Sequence, residues 1–187
     1  MTTIYRRWDA IACRLPRGVP LVGAEVGVWT GKCCSRLLAI FPLLRLYLVD
    51  RWCPPPAGDS YCDSGAQMAG YDRTVYDNAL AQTRSKCAPY ARRCTYLIGD
   101  SVAMAERVAG GSLDFCFIDG DHSYTGCLRD IRAWAPKVKE GGWLCGHDYD
   151  HPEQGEVKRA VTEWLAGRGG LELDCNRTWF WKTEGGA

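Results

Sequence analysis

The chain has 187 residues, 47% hydrophobic and 24% charged, with a net charge of +1. That is the size and composition of one soluble globular domain able to bury a sizeable core. Scattered arginines and a near-neutral balance argue against the basic face of a nucleic-acid binder, so no nucleic-acid partner is expected.

In chain order, residues 1–19 read as an N-terminal helical segment whose Ile4, Tyr5, Trp8 and Ile11 would cover a sheet or a partner subunit. No apolar stretch follows its arginine pair, so it does not read as a signal peptide. LVGAEVGV (21–28) is a strand-like run, followed by a helical spacing at Cys34, Leu37, Leu38 and Phe41. RLYLVD (45–50) is the second strand. The greasy stretch LLAIFPLLRLYLV is broken by Pro42 and Arg45 and is too short to span a bilayer. Residues 52–70, WCPPPAGDSYCDSGAQMAG, are too rich in Pro, Gly and Ser and too long for an ordinary connection, so they are either a lid or a passive insertion. A weaker helix pattern covers 71–88. Further strands are expected at 94–100, 113–119 and 141–148. Helical faces follow at Tyr124, Cys127, Leu128, Ile131, Trp134 and at Val157, Ala160, Val161, Trp164, Leu165. LELDCNRTWFWK closes the pattern as a hairpin, with Trp179 and Trp181 on one face.

Short, continuously apolar strands alternating with helices imply an α/β fold, a single doubly wound Rossmann-like sheet spanning 1–187. The 11 cysteines are odd in number, lack a C-x-x-C pair and in part lie inside apolar runs, as Cys116 and Cys145 do. They read as free buried thiols of a cytoplasmic protein; adjacent Cys33 and Cys34 are the one pair that would suit a redox or metal element.

Ligands of such sheets sit beyond the carboxyl ends of the strands. After the first strand, Glu25-Val26-Gly27-Val28-Trp29-Thr30-Gly31 offers a tight glycine turn and a helix N-terminus; Trp29 stands where a dinucleotide fingerprint has its second glycine. Asp50, about 25 residues after Glu25, is spaced to bond the hydroxyls of a ribose, or else caps a helix. Asp100 and Ser101 could meet an adenine edge or cap the helix beginning at Val102. FIDGDHSY ends a greasy strand in Asp119, Asp121 and His122, and the next ends in His147 and Asp148. Carboxylates with imidazoles suit a divalent cation, with Mg²⁺ favoured by the oxygen ligands; alternatively these groups satisfy one another.

Three stretches, GAEVGVWTGKCCSRLL, LYLVDRW and FIDGDHSYTGCLRDIRAWAPKVKEGGWLCGHDY, resemble the class I S-adenosylmethionine-dependent methyltransferases, and among them the small-molecule O-methyltransferases of the metal-dependent macrolide-sugar and catechol kind. The likeness covers roughly residues 20–182. It implies a seven-stranded sheet whose last strand is antiparallel. It also implies that Glu25, Gly27 and Gly31 surround the methionine end of S-adenosylmethionine, with Trp29 and Arg51 among the cofactor-binding residues. Asp50 would hold the ribose, and Asp100 and Ser101 would lie near adenine. Asp119, His147 and Asp148 match the cation-binding positions, although relatives carry an oxygen ligand where His147 stands. His122 matches the position of the catalytic base, with Asp119 beside it. The expectation is O-methylation of a small hydroxylated acceptor by a soluble protein without a membrane partner and with homo-oligomerisation open. The readings left beside it are a methyltransferase-like binding module without catalysis and a nicotinamide-dependent Rossmann enzyme.

Overall fold

The structure is a computed structural model that describes residues 6–56, 58, 62, 70–152, 156–174 and 176–184. Its strands are β1 (Leu21–Val26), β2 (Leu44–Asp50), β3 (Cys94–Ile98), β4 (Leu113–Ile118), β5 (Val138–Gly146), β6 (Leu171–Asp174) and β7 (Thr178–Lys182). They form one sheet in the order β3-β2-β1-β4-β5-β7-β6, with β7 antiparallel to both of its neighbours and the other pairings parallel.

Alternate side chains of a strand point to opposite faces, and here both faces are covered. Leu44, Leu46, Leu48, Phe115, Phe117 and Phe180 pack beneath helices α1 (Arg7–Arg14), α2 (Lys32–Ile40) and α3 (Arg73–Cys87). Val49, Cys116, Ile118, Leu144, Trp179 and Trp181 pack beneath α4 (Ser101–Ala105), α5 (Tyr124–Trp134) and α6 (Glu156–Trp164). Each large side chain so buried contributes about 1.5–3 kcal/mol relative to exposure. Trp134 and Trp179 are fully buried core residues, as their apolar spacing implies, and Phe180 is buried on the opposite face of the sheet.

The order in which successive strands are laid down reverses between the parallel neighbours β1 and β4. Their register ends at Val26 opposite Ile118, so Gly27 and Asp119 emerge side by side. The register of β4 and β5 ends at Ile118 opposite Gly146, which brings Asp119 and His147 together in turn.

Several boundaries differ from the sequence expectations. The strand expected at 94–100 stops at Ile98, because Gly99 turns at φ +156° and the Asp100 side chain accepts from the N–H groups of Val102 and Ala103. The helix therefore begins at Ser101, not Val102, and Asp100 is its cap. β5 begins three residues earlier than expected, at Val138. The weak pattern at 71–88 is a helix, entered through Asp72, whose carboxylate accepts from the N–H of Val75. Most of 52–70, with the lid expectation, lies outside the described residues, as do Ile4 and Tyr5. The described cysteines are free thiols, and Cys34 Sγ lies 3.6 Å from Cys87 Sγ. No described helix is long and apolar enough to cross a membrane.

Candidate active site

An open-sided cleft of about 840 Å³, counting the space at its mouth, lies over the ends of β1, β2, β3 and β4. Gly27, Trp29, Asp50, Arg51, Asp100, Ser101 and Asp119 line it, so seven residues singled out in the sequence meet at one place.

The glycine turn is enforced by close packing. Gly27 has φ +86°, and a Cβ there would stand 2.1 Å from the carbonyl oxygen of Asp119. Its own N–H donates to the carbonyl of Val49 at 2.8 Å. Trp29 holds a left-handed φ of 53°, unusual for an aromatic residue. The Asp50 carboxylate pins it: one oxygen accepts from the N–H of Trp29 and the other from the N–H of Trp52, each at 2.8 Å. The indole of Trp52 then donates to the carbonyl of Trp29. Burial raises the Asp50 pKa, against the opposing effect of those backbone donors. Asp50 thus shapes the loop and still faces the cleft.

On the far wall, Arg51 donates to Asp100 at 3.2 Å, and Arg129 reaches the other oxygen at 3.7 Å. The Ser101 hydroxyl does not cap its helix. It accepts from the Trp134 indole at 2.9 Å and bonds the carboxyl of Asp130. Asp130 lines the cleft yet is 6% exposed, and burial pushes its pKa up to about 7.

Beyond Asp119 lies a second cluster. His122 Nε2 is 3.3 Å from Asp148 and 3.7 Å from Asp119; His147 Nδ1 is 3.0 Å from Asp148 and 3.6 Å from Asp119. His122 Nε2 and both ring nitrogens of His147 are buried without a hydrogen-bond partner among the described residues. Burial works against the charge of His122, but Asp119, Asp148 and Asp121 outweigh it and raise its pKa. Burial opposes the Asp148 charge in the same way, and His147 and His122 overcome it, so its pKa falls. Asp148 adopts φ 57°, a strained backbone at the point where the carboxylate is aimed. Ligand atoms of Asp119, His122 and Asp148 lie within 4.8 Å of one another, a donor set that fits a divalent cation. His147 stands next to that group.

Two expected cofactor residues stay behind the cleft wall. Gly31, at φ 73°, is the residue that caps the start of α2, and it packs on Thr83. Glu25 is 2% exposed on the face of β1 opposite Ala24 and Val26; burial and the charge of Asp119 push its pKa up to about 8. Sequence reasoning missed Arg7, whose guanidinium donates to Asp119 from α1. It also missed Asp130 and Tyr76; the Tyr76 ring meets Trp29 edge-on at 5.4 Å. Asp130 had a signal: it falls on the apolar stripe of α5, three residues after Cys127 and four before Trp134. Arg7 had none.

A family model described as "Methyltransferase domain" matches residues 24–149. No curated protein matches the chain. Among solved structures, the calicheamicin methyltransferase CalS11 is 18% identical, with a TM-score of 0.67 over 94% of this chain and 76% of that one. The O-methyltransferase NovP is 22% identical, with a TM-score of 0.61 over 95% and 76%. An rRNA methylase from Streptococcus thermophilus is 15% identical, with a TM-score of 0.61 over 97% and 99%. At these identities the structures speak for the fold, and the family match speaks for the chemistry, which leaves no place for the nicotinamide alternative. The chain belongs to the methyltransferase-domain family and is a class I S-adenosylmethionine-dependent methyltransferase.

Proposed function

We propose that this methyltransferase transfers its methyl group to a hydroxyl oxygen of a small molecule, a sugar or a phenol, with His122 as the base. One observation carries the reading: His122 Nε2 stands beside Asp119, which borders the cofactor cleft, so a proton acceptor adjoins the place where the methyl would be held. The acidic strand ends favour a sulfonium, and the near-neutral net charge favours a small acceptor over a polyanion. Likeness to an O-methyltransferase and to a calicheamicin methyltransferase supports the same class.

The acceptor oxygen attacks the methyl carbon in line with the breaking S–C bond. With the methyl donor bound, its C–S bond would break as the C–O bond forms, leaving a neutral thioether, and His122 Nε2 would take the hydroxyl proton. Only a neutral imidazole accepts that proton. The carboxylates around His122 hold it protonated to higher pH, and a sulfonium arriving nearby opposes them. A divalent cation, Mg²⁺ or Mn²⁺, would be held by Asp119, Asp148 and His147, and would lower the pKa of the acceptor hydroxyl. The convergence of Asp119, His122 and Asp148 favours a second arrangement, in which His122 is the imidazole ligand and not the base.

The test is incubation of the full chain with methyl-labelled S-adenosylmethionine and a panel of phenols and sugars, with structured RNA as a further arm. Label recovered in a methyl ether supports the proposal. Label only in RNA, or in no acceptor, contradicts it.

A further inference from the structure

We infer that the Arg7 guanidinium is a built-in counter-cation of the active site and competes with a divalent ion for Asp119. The inference rests on the cation reading above, and it concerns a residue 112 positions away in sequence from its partner.

Arg7 is the first residue of α1, where the helix dipole favours an acidic side chain and disfavours a cation. Its position is explained by what it reaches. Nη1 pairs with Asp119 Oδ2, while Asp119 Oδ1 faces both His122 and His147. Besides Asp119, the Asp148 carboxylate acts on the guanidinium. The side chains of Arg7 and Asp119 are 27% and 12% exposed, so water screens the pair only partly.

The far end of α1 is fastened independently. Arg14 bonds Glu172 and Asp174 of β6 and lies 3.7 Å over the Phe180 ring. The helix is therefore a strap across the sheet whose first turn lays a fixed positive charge on the carboxylate that the ion would use. An arginine cannot give up its proton to make room. An ion arriving at Asp119 must share the carboxylate with a like charge or displace the side chain. Both weaken its binding.

Mn²⁺ titration of the full chain without cofactor, followed by the electron paramagnetic resonance of the free ion, measures the competition. Arg7→Gln should bind Mn²⁺ at least tenfold more tightly than the wild type, and Arg7→Lys, which keeps the charge, within about threefold of it. Arg7→Met provides a second neutral variant, and circular dichroism checks that each is folded. Equal or weaker binding by folded Arg7→Gln or Arg7→Met overturns the competition while leaving the cation reading intact. Failure of wild type and neutral variants alike to bind Mn²⁺ overturns both.

Discussion

The Asp50 carboxylate joins two turns of the chain, accepting the Trp29 N–H on one oxygen and the Trp52 N–H on the other, each at 2.8 Å. Both tryptophans hold left-handed backbones, so the acid stabilises a strained conformation at the floor of the cofactor cleft. Asp50→Ala leaves two N–H groups without their acceptor and should cost about 2–3 kcal/mol in stability. Denaturant unfolding measures it. A change below about 0.5 kcal/mol would mean that the loops hold their shape without the carboxylate.

His122 and His147 flank the same two carboxylates, and one pair of variants separates their roles. If His122 is the base, His122→Ala lowers turnover by about 10²–10⁴-fold and leaves Mn²⁺ affinity near that of the wild type. His147→Ala then loses the ion, and excess chelator abolishes turnover of the wild type. The reverse pattern, with Mn²⁺ lost from His122→Ala, makes His122 the ligand.

A single methyl group at Gly27 tests the close approach of β1 and β4. Its Cβ would stand 2.1 Å from the Asp119 carbonyl at φ +86°, and main chain cannot move aside as a flexible side chain does. Gly27→Ala should cost about 3 kcal/mol or more, lowering the melting temperature by roughly 10 °C. A variant that melts with the wild type and retains cofactor affinity would show that the turn has slack.

Asp130 makes stability depend on pH. In the fold its pKa is about 7, against 3.8 for the ordinary side chain, with burial the main cause. The folded chain therefore holds a proton that the unfolded chain has released. Its contribution to stability is complete below pH about 4, is lost progressively up to pH about 7, and stays lost above that. Asp130→Asn, which cannot ionise, should flatten the fall across that window. Identical slopes of melting temperature against pH for the two proteins would place Asp130 outside this effect.

Much of this architecture was legible because buried parallel strands write themselves as unbroken apolar runs, and their ends as the first polar residue. Asp50, Asp100, Asp119, His122, His147 and Asp148 were found that way. The boundary differences are local: in the sequence Gly99 and Asp100 follow an apolar run without a break, while in the fold a carboxylate cap ends the strand before them. Glu25 reads like a cofactor residue because it precedes the glycine turn. Alternation along β1 turns it to the face beneath α1 and α2, where it is buried. Arg7 could not be read at all, since its meaning lies in Asp119, and only the folded chain brings α1 over the end of β4.

The most direct measurement is a calorimetric titration of the full chain with S-adenosylmethionine, with NAD as control and Asp50→Ala alongside. The account predicts micromolar binding of S-adenosylmethionine, none of NAD, and at least a tenfold loss of affinity in Asp50→Ala. Absence of S-adenosylmethionine binding, with and without Mg²⁺, would contradict the assignment of the cleft to this cofactor.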